Sequence, residues 1–218
     1  MKFARRSFVS AIFAFSALLT VTLPVAAQTD GKDYNVVAPA QPTEDASKVE
    51  VVEFFSYGCP HCAEFHPLIS SWSAKLPADV VFKRIPITFG RGAWVNIAKL
   101  YYTLEITGDL AKLDGDVFKA IHNDRANLFD EKALLEWVTK KGVDMKKFSD
   151  TFNSFGVASM VKRGDQLAQA YKITGVPAIG VDGKYLVGDM GFNEKLLVTN
   201  QLIAKARTER PAKPAGKK

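Results

Sequence analysis

The 218-residue sequence predicts an α/β fold, a mixed central sheet flanked by helices, with an inserted all-helical domain. Three observations carry that reading. A β-branched and aromatic run at 49–55 passes at once into a helical period. Two short apolar runs near the C-terminal end flank Asp182-Gly183, a hairpin signal. Between them, from about Trp94 to Tyr171, the apolar residues recur with helical spacing throughout.

Each element has its own justification. Val49-Glu50-Val51-Val52-Glu53-Phe54-Phe55 reads as a mostly buried strand, and Ser56-Tyr57-Gly58 breaks it. Pro60 suits the first position of a helix that Ala63, Phe65, Leu68, Ile69 and Trp72 continue. Val80 to Ile85 forms a second core strand ending near Pro86. Trp94, Ile97, Ala98, Tyr101 and Leu104 share one helical face, with Gly108 placed as the C-terminal cap. Leu110, Leu113, Val117, Ala120 and Ile121 mark the next helix. Asp130 and Asp144 are caps for two more, the second carrying Met145, Phe148 and Phe152. A long helix follows from about Val157 to Tyr171. The hairpin comes next, Ala178 to Val181 and Lys184 to Val187 about a two-residue type I′ turn, and a last helix spans about Asn193 to Ala206.

Charge limits the partners. The chain carries 29 Lys and Arg against 23 Asp and Glu, but residues 1–27 hold three of the cations and 205–218 hold six cations with one anion, leaving 20 basic against 22 acidic between them. A slightly acidic body argues against nucleic acid, which needs cations gathered on a folded surface. Lys2, Arg5 and Arg6 precede an apolar run from Phe8 to Leu23, then Pro24 and the small residues Val25-Ala26-Ala27. This is the pattern of a cleavable secretory signal, too short for a membrane span, and it implies export to a disulfide-permissive compartment.

Two cysteines remain, Cys59 and Cys62. As a structural staple the pair is weak, because closing so short a loop removes only roughly 2 kcal/mol of unfolded-chain entropy. Zinc needs about four ligands, and the pair with His66 supplies three at best; covalent haem needs His directly after the second Cys, where Ala63 stands. Redox exchange is what remains. At the mouth of a helix the Cys59 sulfur faces unpaired N–H groups and the positive end of the dipole, and a protonated His61 adds to both. A fall of 3 units in thiol pKa would stabilise the reduced form by about 4 kcal/mol, making the disulfide a better oxidant and Cys59 a better leaving group.

The element order resembles a thioredoxin fold interrupted by a helical insert. Glu53-Phe54-Phe55-Ser56-Tyr57-Gly58-Cys59-Pro60-His61-Cys62, with Gly175-Val176-Pro177-Ala178 and the Asp-Gly hairpin later, is similar to the DsbA family of periplasmic thiol:disulfide oxidants. The resemblance covers nearly the whole mature chain, and the Cys-Pro-His-Cys run is its most specific part. It implies that Cys59 is the exposed nucleophile and Cys62 its buried partner. It implies a cis Val176–Pro177 bond against the disulfide, with the backbone at Val176 free to pair with an extended client segment. It implies that Glu53 assists proton transfer at Cys62. His66 departs from the family, which commonly has an acid there, as a simple exposed helix residue would; His122 reads as a surface or helix-end residue, and the aromatics Tyr57 and Trp94 as packing.

The expected organisation is a signal peptide at 1–27, a thioredoxin-like domain at 28–91 and 158–208, a helical insertion at 92–157 and a flexible basic tail at 209–218. The expected activity is donation of the Cys59–Cys62 disulfide to reduced, unfolded exported proteins, by a periplasmic monomer needing no metal, nucleotide or flavin. A DsbB-like, quinone-linked membrane oxidase would reoxidise the pair. The competing readings are a disulfide isomerase, a cytochrome-maturation reductase of the same superfamily, and a non-catalytic exported peptide-binding module.

Overall fold

The computed structural model describes residues 29–210, so the expected signal peptide and residues 211–218 of the tail lie outside the described residues. Five strands form one mixed sheet: β1 (Tyr34–Val36), β2 (Val49–Phe55), β3 (Val80–Pro86), β4 (Ala178–Val181) and β5 (Tyr185–Val187), in the spatial order β1-β5-β4-β2-β3. β2 and β3 are parallel; the other pairings are antiparallel. β2 is buried along its whole length, which is why it reads as an unbroken apolar run rather than an alternating one.

The pleat of β2 sorts its side chains. Val49 and Val51 face α1 (Pro60–Ser73) and α7 (Phe192–Thr208), packing with Phe65, Ile69, Val198, Leu202 and Ile203. Val52 and Phe54 face the other way, onto Ala168 and Tyr171 at the end of α6 (Phe155–Ala170) and just beyond it. By the same period of two, Glu53 points to the side of α1. Gly164 lets α6 cross close over β3, since a Cβ there would lie 2.9 Å from the Ile85 side chain.

The helical block comprises α2 (Gly92–Thr107), α3 (Leu110–His122), α4 (Glu131–Thr139) and α5 (Met145–Phe152). Asp130 and Asp144 cap α4 and α5 through their carboxylates, and Gly108 ends α2 at φ 87°. The long helix α6 begins two residues before its expected start, because the Ser154 side chain accepts from Val157 N–H. The core of the block, including Leu100, Leu113, Phe148 and Phe152, runs without a break into Phe55, Tyr57, Cys59 and Cys62. The cysteine motif therefore sits at the seam between sheet and insert.

Three expectations need correction. Strand β1 is absent from the sequence reading; its three residues carry no period, and only pairing with β5 defines it. The hairpin turn has both positive φ values that type I′ requires, 54° at Asp182 and 69° at Gly183, but Val181 pairs with Tyr185. Lys184 is therefore an extra residue, and its carbonyl is taken by Val37 N–H at 2.7 Å, which ties β1 to the turn. The tail is not free from 209 onward: Tyr185 OH donates to Glu209, and the Arg210 guanidinium bonds the Asp182 carboxylate and the carbonyls of Ala46 and Lys48.

Candidate active site

β2 ends at Phe55, the chain turns through Ser56-Tyr57-Gly58, and Cys59 becomes the N-cap of α1 at φ −95° and ψ 119°. Pro60 is the first helical residue, where its missing N–H leaves no bond unmade. A second proline, Pro67, lies inside α1 without ending it. Both cysteines are thiols. Cys62 is fully buried, and Cys59 keeps only 9% of its surface, so the expected exposed nucleophile presents just an edge. The cause is the Val176–Pro177 loop: that bond is cis, and Cys59 Sγ donates to Val176 O at 3.4 Å. In the dithiol form the Val176 carbonyl thus accepts from the protonated Cys59 thiol, while Val176 N–H has no acceptor among the described residues.

Cys59 is lowered to about 6. The leading cause is the hydrogen bond it accepts from the Cys62 thiol, followed, against an opposing effect of burial, by backbone N–H groups of Cys62 and His61 and the charge of His61. The helix start contributes as the sequence suggests, yet a neighbouring S–H leads it. Cys62 is driven far upward, first by burial, then by donating to Cys59 and by the nearby charges of Cys59 and Glu53. One sulfur is thus poised as an anion, and the other is held as a thiol beside it. The His61 side chain is 72% exposed, with Nδ1 3.2 Å from Glu64, so its charge acts across solvent and is screened.

Beneath α1 lies a buried ionic cluster. Arg84 on β3 stands beside Glu53 in the parallel register and bonds its Oε2 through Nε at 2.6 Å. Its Nη1 bonds Asp114 Oδ2 on α3, also at 2.6 Å, and its guanidinium lies 4.0 Å from the centroid of the Phe55 ring. Tyr57 OH donates to Asp114 Oδ1 at 2.5 Å, and His66 Nε2 lies 3.6 Å from Asp114 Oδ2. Among the described residues, two buried side-chain polar atoms have no partner, Glu53 Oε1 and Arg84 Nη2. Burial raises the Glu53 carboxyl against the pull of Arg84, and burial lowers His66 against the pull of Asp114. Glu53 therefore does not reach solvent at a sheet edge, and His66 is not a bystander on an open helix face: its ring packs 4.9 Å from Phe118.

This arrangement fits thiol exchange: a lowered, edge-exposed sulfur with a cis-proline loop against it, a buried resolving thiol, and an acid with an unused oxygen below. A family model described as a DSBA-like thioredoxin domain matches residues 50–195. The chain belongs to the DsbA family. A thiol:disulfide interchange protein DsbA of Bordetella parapertussis is 39% identical over 202 residues, covering 90% of this chain and 96% of that relative. The crystal structure of Pseudomonas aeruginosa DsbA superposes with a TM-score of 0.79 at 40% identity, over 83% of this chain and 95% of that one. DsbA from Xylella fastidiosa gives a TM-score of 0.78 at 30% identity, over 83% and 98%. As a DsbA-family member the chain is a disulfide-forming protein dithiol:disulfide oxidoreductase.

Within this DsbA-family site, Cys59, Pro60, Cys62, Val176 and Pro177 come together, Glu53 lies below them, and His61 sits on the rim. The sequence reading missed Arg84, Asp114 and the hydroxyl of Tyr57. Arg84 left a signal, a cation inside an apolar strand like the acid at Glu53. Asp114 left none, because nothing local to α3 says which face meets α1. His122, at the end of α3, is also more than a helix-end residue: its Nε2 lies 2.7 Å from Tyr57 O and ties the insert to the turn before Cys59.

Proposed function

We propose that this protein donates its Cys59–Cys62 disulfide to reduced, unfolded exported proteins in the periplasm, as a monomer, and is reoxidised by a DsbB-like membrane oxidase. The low Cys59 pKa beside a thiol that stays protonated carries the reading. A client thiolate attacks Cys59 Sγ; a client–Cys59 bond forms, and the Cys59–Cys62 bond breaks. The electron pair goes to Cys62, and a proton drawn from solvent reaches it by way of the Glu53 carboxyl, whose pKa burial raises and whose Oε1 has no partner. A second client thiolate then attacks the client-side sulfur. The client disulfide forms, and Cys59 leaves as a thiolate, so two electrons have passed from client to protein. His61 favours that leaving group, Pro60 sets the helix start, and Val176 and Pro177 bind the client backbone. The parts at 28–91 and 158–208 carry the chemistry, and the insertion at 92–157 supplies Asp114 and walls the site. No helix among the described residues is long and apolar enough to cross a membrane.

The direction of exchange follows from linkage. Cys59 falls from an ordinary value of 9.0 to about 6 in the fold. A depressed acid stabilises the folded dithiol above pH 6, fully so above 9, and the contribution is lost as pH falls through 6; at pH 7 it amounts to about 1.4 kcal/mol. The disulfide form gains nothing from this, so reduction of the protein is favoured. Equilibration with glutathione buffers at pH 7 should therefore find the protein reduced even in oxidising mixtures. A protein that stays oxidised in mostly reduced glutathione is a reductase and contradicts the proposal.

A further inference from the structure

We propose that the cavity beside Pro177 is a subsite for an acidic side chain of the client, bound through Lys195; the proposal rests on the client oxidation described above. The cavity, about 570 Å³, has His61, Pro177, Gly188 and Lys195 on its lining. Lys195, in the first turn of α7, is only 4% exposed. Its Nζ donates to Gly188 O at 3.1 Å, and that carbonyl is its one hydrogen-bond acceptor among the described residues. An ammonium has three donors, and a buried one without a counter-charge is held at a desolvation cost. The charged neighbour of Lys195 is Asp189, which attracts it without a hydrogen bond; Asp189 is also on the cavity lining, but it is exposed to solvent.

Two more features give the cavity the same sign. Lys172 lies on its lining, and α7 opens at Gly191 with no side chain capping its first N–H groups. Burial lowers the Lys195 ammonium, and an incoming carboxylate offsets that effect. Because His61 and Pro177 share the lining, a carboxylate seated on Lys195 belongs to a residue close in sequence to the reacting client cysteine. The cation thereby makes the choice of client depend on acids flanking the cysteine.

The test uses acetylated, amidated dithiol peptides carrying Glu or Gln at successive positions around the reacting cysteine, with stopped-flow oxidation by the full disulfide-form protein. At one or two adjacent positions the Glu peptide should react roughly tenfold faster than its Gln twin. Lys195→Met should bring that ratio to about one, and Lys195→Arg should keep most of it. A ratio near one in the unmodified protein overturns the subsite, as does a preference that is equal at all positions or survives Lys195→Met. Oxidation of the Gln peptides separates this from the function itself: if neither peptide is oxidised, the oxidase reading fails instead. Should Lys195→Met fail to fold, the position dependence in the unmodified protein and the Lys195→Arg ratio still decide.

Discussion

Cys59→Ser should abolish oxidation of client dithiols, a fall of roughly 10³-fold or more, because no other group in the site can carry the exchange as an anion at neutral pH. Cys62→Ser should behave differently. Its Cys59 thiolate can still attack an existing disulfide, such as oxidised glutathione, forming a mixed disulfide and expelling one thiolate; the resolving thiol is gone, so that adduct should persist and be seen by mass spectrometry after acid quenching. The two residues are separated by environment rather than by type: Cys59 has an edge in solvent and a pKa of about 6, whereas Cys62 is fully buried and pushed far upward. Activity that survives Cys59→Ser and disappears with Cys62→Ser would reverse the assignment.

Arg84→Met should destabilise the fold by about 3–5 kcal/mol, since it strands two carboxylates, Glu53 fully buried and Asp114 partly so. The pH dependence has a definite sign. A buried acid whose folded pKa lies above its unfolded value binds more protons in the folded state, so its contribution falls as pH rises. With Arg84 gone the Glu53 carboxyl rises further, and the variant should regain stability relative to the parent between pH 7 and pH 5. The double replacement Glu53→Gln with Arg84→Met should lose less than Arg84→Met alone, because one of the stranded charges is removed. Urea midpoints for the parent and the two variants at both pH values measure this; a loss under 1 kcal/mol for Arg84→Met would show that the cluster is not the buried unit described.

The strands, helices and cysteine motif were legible because their signals are local. Val49 to Phe55 is a continuous apolar run, Pro60 marks a helix start, and Asp130, Asp144 and Gly108 are caps that act within one turn. What stayed hidden is what the topology brings together. Glu53 and Arg84 are 31 positions apart and meet only through the parallel register of two strands, and Asp114 joins them only because the insert packs α3 against α1. The Cys59 environment was half-legible for the same reason. Its helix start is local, whereas the carbonyl of Val176 that covers it lies 117 positions away. The three-residue strand β1 and the extra residue Lys184 exist only as pairing partners, and no period in the sequence encodes them.

Central to the account is a Cys59 sulfur kept ionised by donors that the folded turn supplies. Ultraviolet titration of thiolate absorbance in the fully reduced protein, with Cys62→Ala as the check on which sulfur responds, tests it directly. The reduced protein should show one thiolate titrating near pH 6, moved upward in Cys62→Ala by loss of the leading donor but still below the ordinary value of 9.0. A single thiolate titrating near 9 in the reduced protein, or a transition near 6 that is unaffected by Cys62→Ala, would contradict the account.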